Sequence, residues 1–514
     1  MAKTPKQAKN RAFWPRIGNF LRSRTFFIYI LIAFTIQMGY IAYSTNYPML
    51  FDEEYHLGII DIYSRQVSPF ITSQPHEAAF HGAITRYGSY LFHYVMSFPY
   101  RFITLFTNDI QAIVISLRFI CIALVVLGMV MFRLFLLRAG VSAAITHSAL
   151  VIFTLIPLVP FALSQLNYDA LAFMVIPSLL YAALRTTEKQ KNYSLWFVAL
   201  TALALVGSLV KFTILPIAFA AVVFCVMSLY KNTGMNALNY LIADLKKAHR
   251  LITVPLLVIV CIAAGLFTER YIVNIIQHRN IEPKCDRIHT REECMQYTVW
   301  RRDTTWKEAN DAKQVVRDNP LVYTTGYWAP HIFNDFFVVG ALVNQTDKPL
   351  ELRHLPSGPG SLQASAGNPV LRYSGWVIAV ISLFVVWRYW RHIPHKKLIA
   401  LIALVLIIYT TSLWIRNYTD YLRIGAGTAA QGRYFIPLLI PILAIVGLAL
   451  ASALRHTKNR AIILTIFLLL FTQGGGVGNY ILYSNQRWYW QEQRQTITSL
   501  NNSLRKILRT VIPF

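Results

Sequence analysis

Three carboxylates stand side by side early in the chain, in the stretch Phe-Asp-Glu-Glu-Tyr-His that begins at residue 51. The stretch directly follows an apolar block long enough to cross a bilayer. Adjacent carboxylates at a membrane surface are costly in free energy unless they are solvated or used. Asp52 or Glu53 is therefore a candidate general base that accepts the proton of an attacking hydroxyl. The alternative is an acidic loop that is merely solvated.

A further carboxylate, Asp169, lies in a short turn, Gln-Leu-Asn-Tyr-Asp, between two apolar blocks. A lone aspartate in a short turn commonly serves the turn itself. The count of apolar blocks, however, puts this turn on the same side of the membrane as Asp52. We therefore expect the two carboxylates to line one cavity, where Asp169 would contact substrate.

Three cations accompany these acids. Arg118 lies inside an apolar block, Lys211 lies between two blocks, and Arg433 lies in the stretch Ala-Gln-Gly-Arg-Tyr. A cation in an apolar bundle usually has an anionic partner, and a lipid-borne phosphate that departs with negative charge would serve. Gln431 and Tyr434 flank Arg433 and favour substrate binding there. For Arg118, pairing with a carboxylate of the chain itself is the alternative.

Metal ligation is a second use for the polar residues of the predicted outer segments. His56 follows Asp52 by four residues and is a candidate substrate contact. No spacing compels a site for Mg²⁺ or Mn²⁺, so a divalent cation stays an open alternative to ordinary loop residues. The residues concerned are His56, His76, Glu77, His81, His331 and Asp335.

Two other pairs in the second outer segment carry predictions. Cys285 and Cys294 can form a disulfide in an oxidising compartment, the alternative being two free thiols. Tyr327 and Trp328 could stack on a sugar ring, although anchoring at the membrane interface explains them equally well.

The elements that must position these residues are transmembrane helices. The chain has 514 residues, of which 55% are hydrophobic and 14% charged, whereas soluble proteins carry nearer a quarter charged residues. The fold class predicted is an all-α polytopic membrane protein with a bundle of about eleven spans. The apolar blocks cover residues 25–43, 110–131, 143–161, 170–183, 195–210, 212–229, 251–267, 377–387, 398–414, 434–454 and 462–482.

The net charge of +26 is distributed between the apolar blocks. Basic residues concentrate in the N-terminal tail and in five short loops that all fall on its side of the membrane. The loops lie within residues 133–138, 185–191, 231–250, 388–397 and 455–460. This positive-inside pattern predicts a cytoplasmic N-terminus in the cytoplasmic membrane, and it argues against nucleic acid as a partner.

The same pattern divides the chain into five parts. A basic tail (1–24) precedes an N-terminal membrane module (25–270) that contains the first outer loop, 46–109. A second outer loop (271–374) leads to the C-terminal spans (375–483) and an amphipathic tail (484–514). Residues 87–105 and the tail are expected to lie as helices on the outer interface. The aromatic cluster that opens the tail at residues 487–490 is expected at the headgroup boundary.

Five stretches together resemble a known family. The acidic pair at 52–53 resembles the hallmark of the GT-C superfamily of polyprenyl-phosphate-sugar-dependent glycosyltransferases. Ser-Leu-Arg-Phe at 116–119, Leu-Asn-Tyr-Asp-Ala-Leu at 166–171 and Leu-Val-Lys-Phe-Thr at 209–213 resemble segments of relatives of the protein O-mannosyltransferases. Gln-Gly-Arg-Tyr-Phe-Ile-Pro at 431–437 resembles the signature of an uncharacterised bacterial multispan family grouped with them. A third acid, Glu54, departs from the pattern.

This resemblance implies an activity. It implies transfer of a sugar from a polyprenyl-phosphate donor to a glycan, lipid or protein acceptor outside the cytoplasm, with or without a divalent cation. Asp52 would be the base and Glu53 its support or a second acidic contact, while Lys211 and Arg433 would hold the departing lipid phosphate. Asp169 would orient the acceptor or a neighbouring cation. A transporter or flippase of lipid-linked saccharides and a non-catalytic subunit for cell-envelope assembly are the alternatives.

Overall fold

The computed structural model describes residues 18–49, 52–71, 80–188, 193–337, 369–454, 475–484 and 486–511. Most of the basic tail, the basic loop at 455–460, most of the eleventh apolar block and residues 338–368 of the second outer loop lie outside these ranges. Within them the chain is helical, and its β pairing is one isolated bridge between Thr45 and Tyr489.

The described part of the chain contains nineteen α-helices of six residues or more, numbered here in chain order. The first ten are α1 (Arg24–Ser44), α2 (Glu53–Ser64), α3 (Leu91–Thr104), α4 (Ile110–Arg138), α5 (Ala143–Leu155), α6 (Leu158–Leu163), α7 (Asp169–Thr186), α8 (Tyr193–Val210), α9 (Ile214–Thr233) and α10 (Ala237–Lys247). The rest are α11 (Arg250–His278), α12 (Arg291–Gln296), α13 (Thr298–Ala312), α14 (Ala329–Asp335), α15 (Pro369–Tyr389), α16 (Lys396–Ile424), α17 (Ile436–Ala453), α18 (Val477–Tyr483) and α19 (Arg494–Val511).

Eight of the described helices are long and apolar enough to cross a membrane, namely α1, α4, α7, α8, α9, α11, α16 and α17. The chain is therefore an all-α multi-pass membrane protein. The count of about eleven is not confirmed, because α5 and the apolar part of α15 are shorter and the eleventh block is mostly outside the described residues.

The third apolar block, predicted as one span, is broken in two. Proline has no N–H and clashes with the preceding helical turn, so Pro157 ends α5 and α6 starts afresh. Other parts of the chain satisfy the backbone groups at the break. The N–H of Leu158 donates to the carbonyl of Phe336 (3.1 Å), and the N–H of Gly476 donates to the carbonyl of Leu155 (2.8 Å).

Helix α7 lies at the centre of the bundle and packs against α4, α8 and α9. The rings of Phe132 and Phe153 lie 5.1 and 5.4 Å from that of Phe173 on α7, giving a close-packed apolar core. Helices α11 and α16 extend about ten residues beyond their predicted blocks. Their extra turns pack against the predicted outer segments, and Arg270 is buried there between Phe70 and Tyr90.

The two ends of the bundle differ in chemistry. At one end, the predicted basic loops converge: Arg138 pairs with Glu188, and Lys397 donates to the carbonyl of Thr187 (3.1 Å). At the other end lie the end of α1, all of α2 and the start of α7. Three of the five basic loops therefore share one end, as the charge pattern predicts.

The C-terminal tail folds back onto the α2 end of the bundle. Trp488, Tyr489 and Trp490 are buried, so the prediction that this aromatic cluster lies at the headgroup boundary is wrong. The cluster instead packs under the end of α1, where the N–H of Asn46 donates to the carbonyl of Trp488 (2.6 Å). Helix α19 forms as predicted, and its buried face centres on Ile497 and Asn501.

Candidate functional site

Asp52 and Glu53 are neighbours in sequence but occupy opposite environments at the start of α2. Asp52 has a left-handed backbone (φ 68°), which aspartate tolerates better than most residues. Its side chain is 45% exposed, whereas that of Glu53 is fully buried. The two carboxylates therefore cannot have the same role.

Glu53 is saturated by the protein. Its Oε1 accepts hydrogen bonds from Nε of Arg118 (2.8 Å) and from the N–H of Leu166 (3.1 Å). Its Oε2 accepts from Nη2 of Arg118 (2.6 Å) and from the N–H of Met49 (2.6 Å). No acceptor site on Glu53 is left for a substrate, so the geometry makes Glu53 a support for its neighbour Asp52.

Arg118 is equally committed. Its remaining donors bond to the carbonyls at the end of α1, those of Ala42, Thr45 and Asn46. The prediction that Arg118 binds substrate is therefore wrong, and the alternative of pairing with a carboxylate of the chain holds. A fully buried cation in this position needs its partner, because an unpaired charge in an apolar bundle is strongly destabilising.

Arg433 meets Asp52 across 381 positions of sequence. The guanidinium is 4% exposed, and its Nη2 lies 3.1 Å from Oδ2 of Asp52. A 3-10 turn over Gly432–Phe435 carries it, immediately before α17. A Cβ on Gly432 would lie 2.7 Å from the carbonyl oxygen of Ile332, so glycine is required for this turn to approach α14.

Asp335, at the end of α14, is a carboxylate of this site that sequence reasoning considered as a metal ligand. Its Oδ2 accepts a hydrogen bond from the N–H of Gly432 (3.0 Å). Burial raises the pKa of Asp335 to about 6, although that hydrogen bond and the charge of Arg433 lower it. The contact depends on how the second outer loop folds onto the Arg433 turn, so no sequence motif predicts it.

Lys211 and Asp169 form a second, buried ion pair. Lys211 sits at the junction of α8 and α9, and Asp169 opens α7, where the helix N-terminus favours a negative charge. The Nζ of Lys211 lies 4.6 Å from the ring of Tyr168 and 4.9 Å from that of Tyr434. Burial lowers the pKa of Lys211, and the charge of Asp169 opposes this effect.

His56 is buried on the inner face of α2. Its Nδ1 lies 2.8 Å from Nε2 of His93, and its ring meets that of Tyr168 at 4.6 Å. Burial, together with the charges of Arg433 and Lys211, holds the pKa of His56 well below its usual range. His56 is therefore a neutral imidazole next to both cations.

Gln431 and Tyr434 flank Arg433 as predicted, with different roles. The Oε1 of Gln431 is buried and accepts no hydrogen bond from the described residues. Tyr434 contributes its ring, 5.5 Å from the guanidinium of Arg433, and its carbonyl accepts from the hydroxyl of Tyr409 (2.8 Å).

The described residues contain no group of three or more histidine, cysteine or acidic side chains that could hold a metal ion. His331 instead bonds through Nδ1 to the carbonyl of Tyr327 (2.7 Å). His76 and Glu77 lie outside the described residues. Because the described donors do not fit a divalent cation, no chemical step is assigned to one below.

Two predictions for the second outer loop have clear outcomes. Trp328 is buried and donates through Nε1 to Oδ1 of Asn417 (3.0 Å), so it is available neither to a sugar nor to the membrane interface. Cys285 and Cys294 form the predicted disulfide.

The site thus gathers Asp52, Asp169, Lys211 and Arg433 at one end of the bundle, with Asp52 open to solvent. An exposed carboxylate can accept a proton, and two buried cations can stabilise an anionic leaving group. No protein-family model, curated protein or solved structure matches this chain.

Proposed function

We propose that this protein is a membrane glycosyltransferase that moves a sugar from a polyprenyl-phosphate donor to an acceptor outside the cytoplasm. The contact between Asp52 and Arg433 carries the proposal. This contact brings a carboxylate that can accept a proton next to a guanidinium that can bind a phosphate, in a membrane protein whose donor would be a lipid.

The proposed reaction is a displacement at the anomeric carbon of the donor sugar. The acceptor hydroxyl gives its proton to the Asp52 carboxylate as its oxygen bonds to the anomeric carbon. The bond from that carbon to the phosphate oxygen breaks, and the electron pair leaves with the lipid phosphate. Arg433 and Lys211 stabilise the resulting charge, which must develop where preorganised cations already stand.

Asp52 and Asp169 hold those cations in place before the donor arrives. Because both pairs lie at one end of the bundle, the donor phosphate would enter there and compete with Asp52 for Arg433. The basic loops at the opposite end favour a cytoplasmic location for that end under the positive-inside rule. The reaction would therefore take place on the outer face of the cytoplasmic membrane, with glycan, lipid or protein as acceptor.

The test is donor cleavage in membranes that contain the overproduced protein. Membranes are supplied with a panel of synthetic undecaprenyl-phosphate monosaccharides, and released undecaprenyl phosphate is measured by mass spectrometry. We expect release from one member of the panel, with loss of about a hundredfold or more in rate for Asp52→Asn.

A matched control is Asp286→Asn, which makes the same change at an exposed carboxylate outside the site. Full donor cleavage by Asp52→Asn would overturn the assignment of the base. Donor translocation across liposomes that is insensitive to Asp52→Asn, without cleavage, would favour the transporter alternative.

A further inference from the structure

A cleft of about 440 Å³ opens beside the first turns of α2, next to Asp52 along the chain. Three of its polar lining groups are carboxylates or an imidazole, and three lining groups are aromatic rings. These six side chains are Glu54, Asp61, His81, Tyr47, Phe80 and Tyr100. None of them belongs to the ionic site around Arg433 described above.

The shape of the cleft depends on Gly58. Glu54, Gly58 and Asp61 lie along one face of α2, whereas Glu53 and His56 occupy its buried face. A Cβ on Gly58 would lie 2.2 Å from Cε1 of His81, so the imidazole packs directly on the helix backbone. The wall of the cleft is therefore built from close packing between α2 and the His81 turn.

Among the described residues, the lining of the cleft includes two carboxylates and no lysine or arginine. Within the described part of the chain, Glu54 forms no ion pair or hydrogen bond. Asp61 accepts hydrogen bonds from the hydroxyl of Tyr100 (3.1 Å) and from Arg65 (2.6 Å). Burial lowers the pKa of His81 to about 4, which leaves the imidazole uncharged at neutral pH.

These groups accept hydrogen bonds and repel anions. A half-buried carboxylate without a protein partner is favourable only with a ligand that donates hydrogen bonds or with water. Tyrosine hydroxyls add further donors and acceptors, and the aromatic rings offer apolar faces. A sugar matches this combination, since it carries hydroxyl donors around an apolar ring face.

We propose that this cleft binds the acceptor, and that the acceptor is a saccharide without phosphate or carboxylate groups, neutral or amine-bearing. The inference rests on the proposed glycosyltransferase function, because Glu54, which lines the cleft, follows the proposed base Asp52 by two residues. Charge then separates the donor from the acceptor. The donor phosphate binds at Arg433 and Lys211, whereas the acceptor saccharide binds at Glu54 and the tyrosines.

Saccharide binding by the purified full-length protein in nanodiscs tests this inference separately from catalysis. The probes are maltohexaose (neutral), chitosan hexamer (amine-bearing) and hexagalacturonate (anionic), and binding is read by saturation-transfer difference NMR. We expect signals from maltohexaose or the chitosan hexamer and none from hexagalacturonate.

Four variants locate the binding. Glu54→Gln and Gly58→Leu should each weaken it by about tenfold, the loss expected for one strong hydrogen bond or a closed wall. Glu308→Gln, an exposed carboxylate on α13, is the matched control and should bind as wild type does. Asp52→Asn should still bind the saccharide, so a failure of catalysis and a failure of acceptor binding can be told apart.

Two results would overturn the inference. One is stronger binding of hexagalacturonate than of the other probes. The other is the absence of any signal, or a signal unchanged in Glu54→Gln and Gly58→Leu. If Asp52→Asn retains donor cleavage while saccharide binding behaves as expected, the proposed base fails and the binding cleft stands.

Discussion

The Glu53–Arg118 pair and the Asp52–Arg433 pair begin at adjacent residues and differ in almost every physical respect. The first is fully buried, and its carboxylate accepts four hydrogen bonds. The second joins a buried guanidinium to a half-exposed carboxylate through one contact of 3.1 Å. The Glu53–Arg118 pair holds α1, α2 and α4 together, whereas the Asp52–Arg433 pair can exchange its partners.

The difference shows how adjacent carboxylates can divide structure from chemistry. The proposed base must be accessible to an acceptor, yet its backbone has to be fixed. Glu53 fixes it by anchoring the start of α2 to Arg118, and the left-handed backbone at Asp52 turns its side chain the other way. Substitutions in and around the two pairs should therefore differ widely in how much they change stability.

Arg118→Ala should have the largest effect. It leaves Glu53 charged, buried and unpaired, at a cost of roughly 3–5 kcal/mol in the free energy of unfolding. The matched control is Arg138→Ala, which breaks the partly exposed pair with Glu188 and should cost less than about 1 kcal/mol. Chemical denaturation in detergent measures both, and equal losses would mean that the first pair is not the anchor.

Asp335→Asn should change how stability depends on pH. Burial raises the pKa of Asp335 to about 6 in the folded protein, against an ordinary value of 3.8. The folded state therefore binds this proton more tightly than the unfolded state does. The contribution of Asp335 to the free energy of unfolding falls as pH rises from about 4 to 6. Between pH 4 and pH 7, the free energy of unfolding of the variant should rise by roughly 2–3 kcal/mol relative to that of wild type.

Denaturation at a series of pH values checks this prediction, with the exposed Asp286→Asn as control. If the free energies of unfolding of wild type and Asp335→Asn changed in parallel with pH, ionisation of Asp335 would not be the cause of the pH dependence.

The second ion pair of the site should be replaceable for stability but not for function. Lys211→Met with Asp169→Asn removes both charges together, so the unfolding free energy should stay within about 1 kcal/mol of wild type. Binding of undecaprenyl phosphate should nevertheless weaken by about tenfold or more, because one of the two cations proposed to bind the phosphate is gone. Lipid binding measured by native mass spectrometry decides this, and an unchanged affinity would remove Lys211 from the phosphate site.

Asp52→Asn should have the smallest effect on stability. A half-exposed ion pair contributes less than about 1 kcal/mol, so thermal unfolding should be nearly unchanged. A large destabilisation would mean that Asp52 is an anchor like Glu53, and that the division between the two residues is wrong.

Local sequence features allowed much of the fold to be predicted. Hydropathy marks the long helices, because each must satisfy its own backbone in lipid, and charge placement marks which loops share an end. The proximity of Asp52 to Arg433 was predicted from the side of the membrane on which each lies. The disulfide followed from two cysteines in one outer loop.

Other features depend on tertiary contacts that local sequence does not encode. Nothing near Arg118 distinguishes a cation that binds substrate from one that binds Glu53. The tail aromatics look like interface residues until Trp488 and Trp490 pack under α1. Asp335 and His93 join the site only because α14 and α3 fold against it, and neither lies in a recognisable motif.

The most direct test of the central claim is a cryo-EM map of the protein with undecaprenyl phosphate. The account predicts phosphate density within hydrogen-bond distance of the Arg433 guanidinium and close to Lys211, with the Asp52 carboxylate facing the same cavity. Phosphate bound elsewhere, with Arg433 still on Asp52, would contradict it.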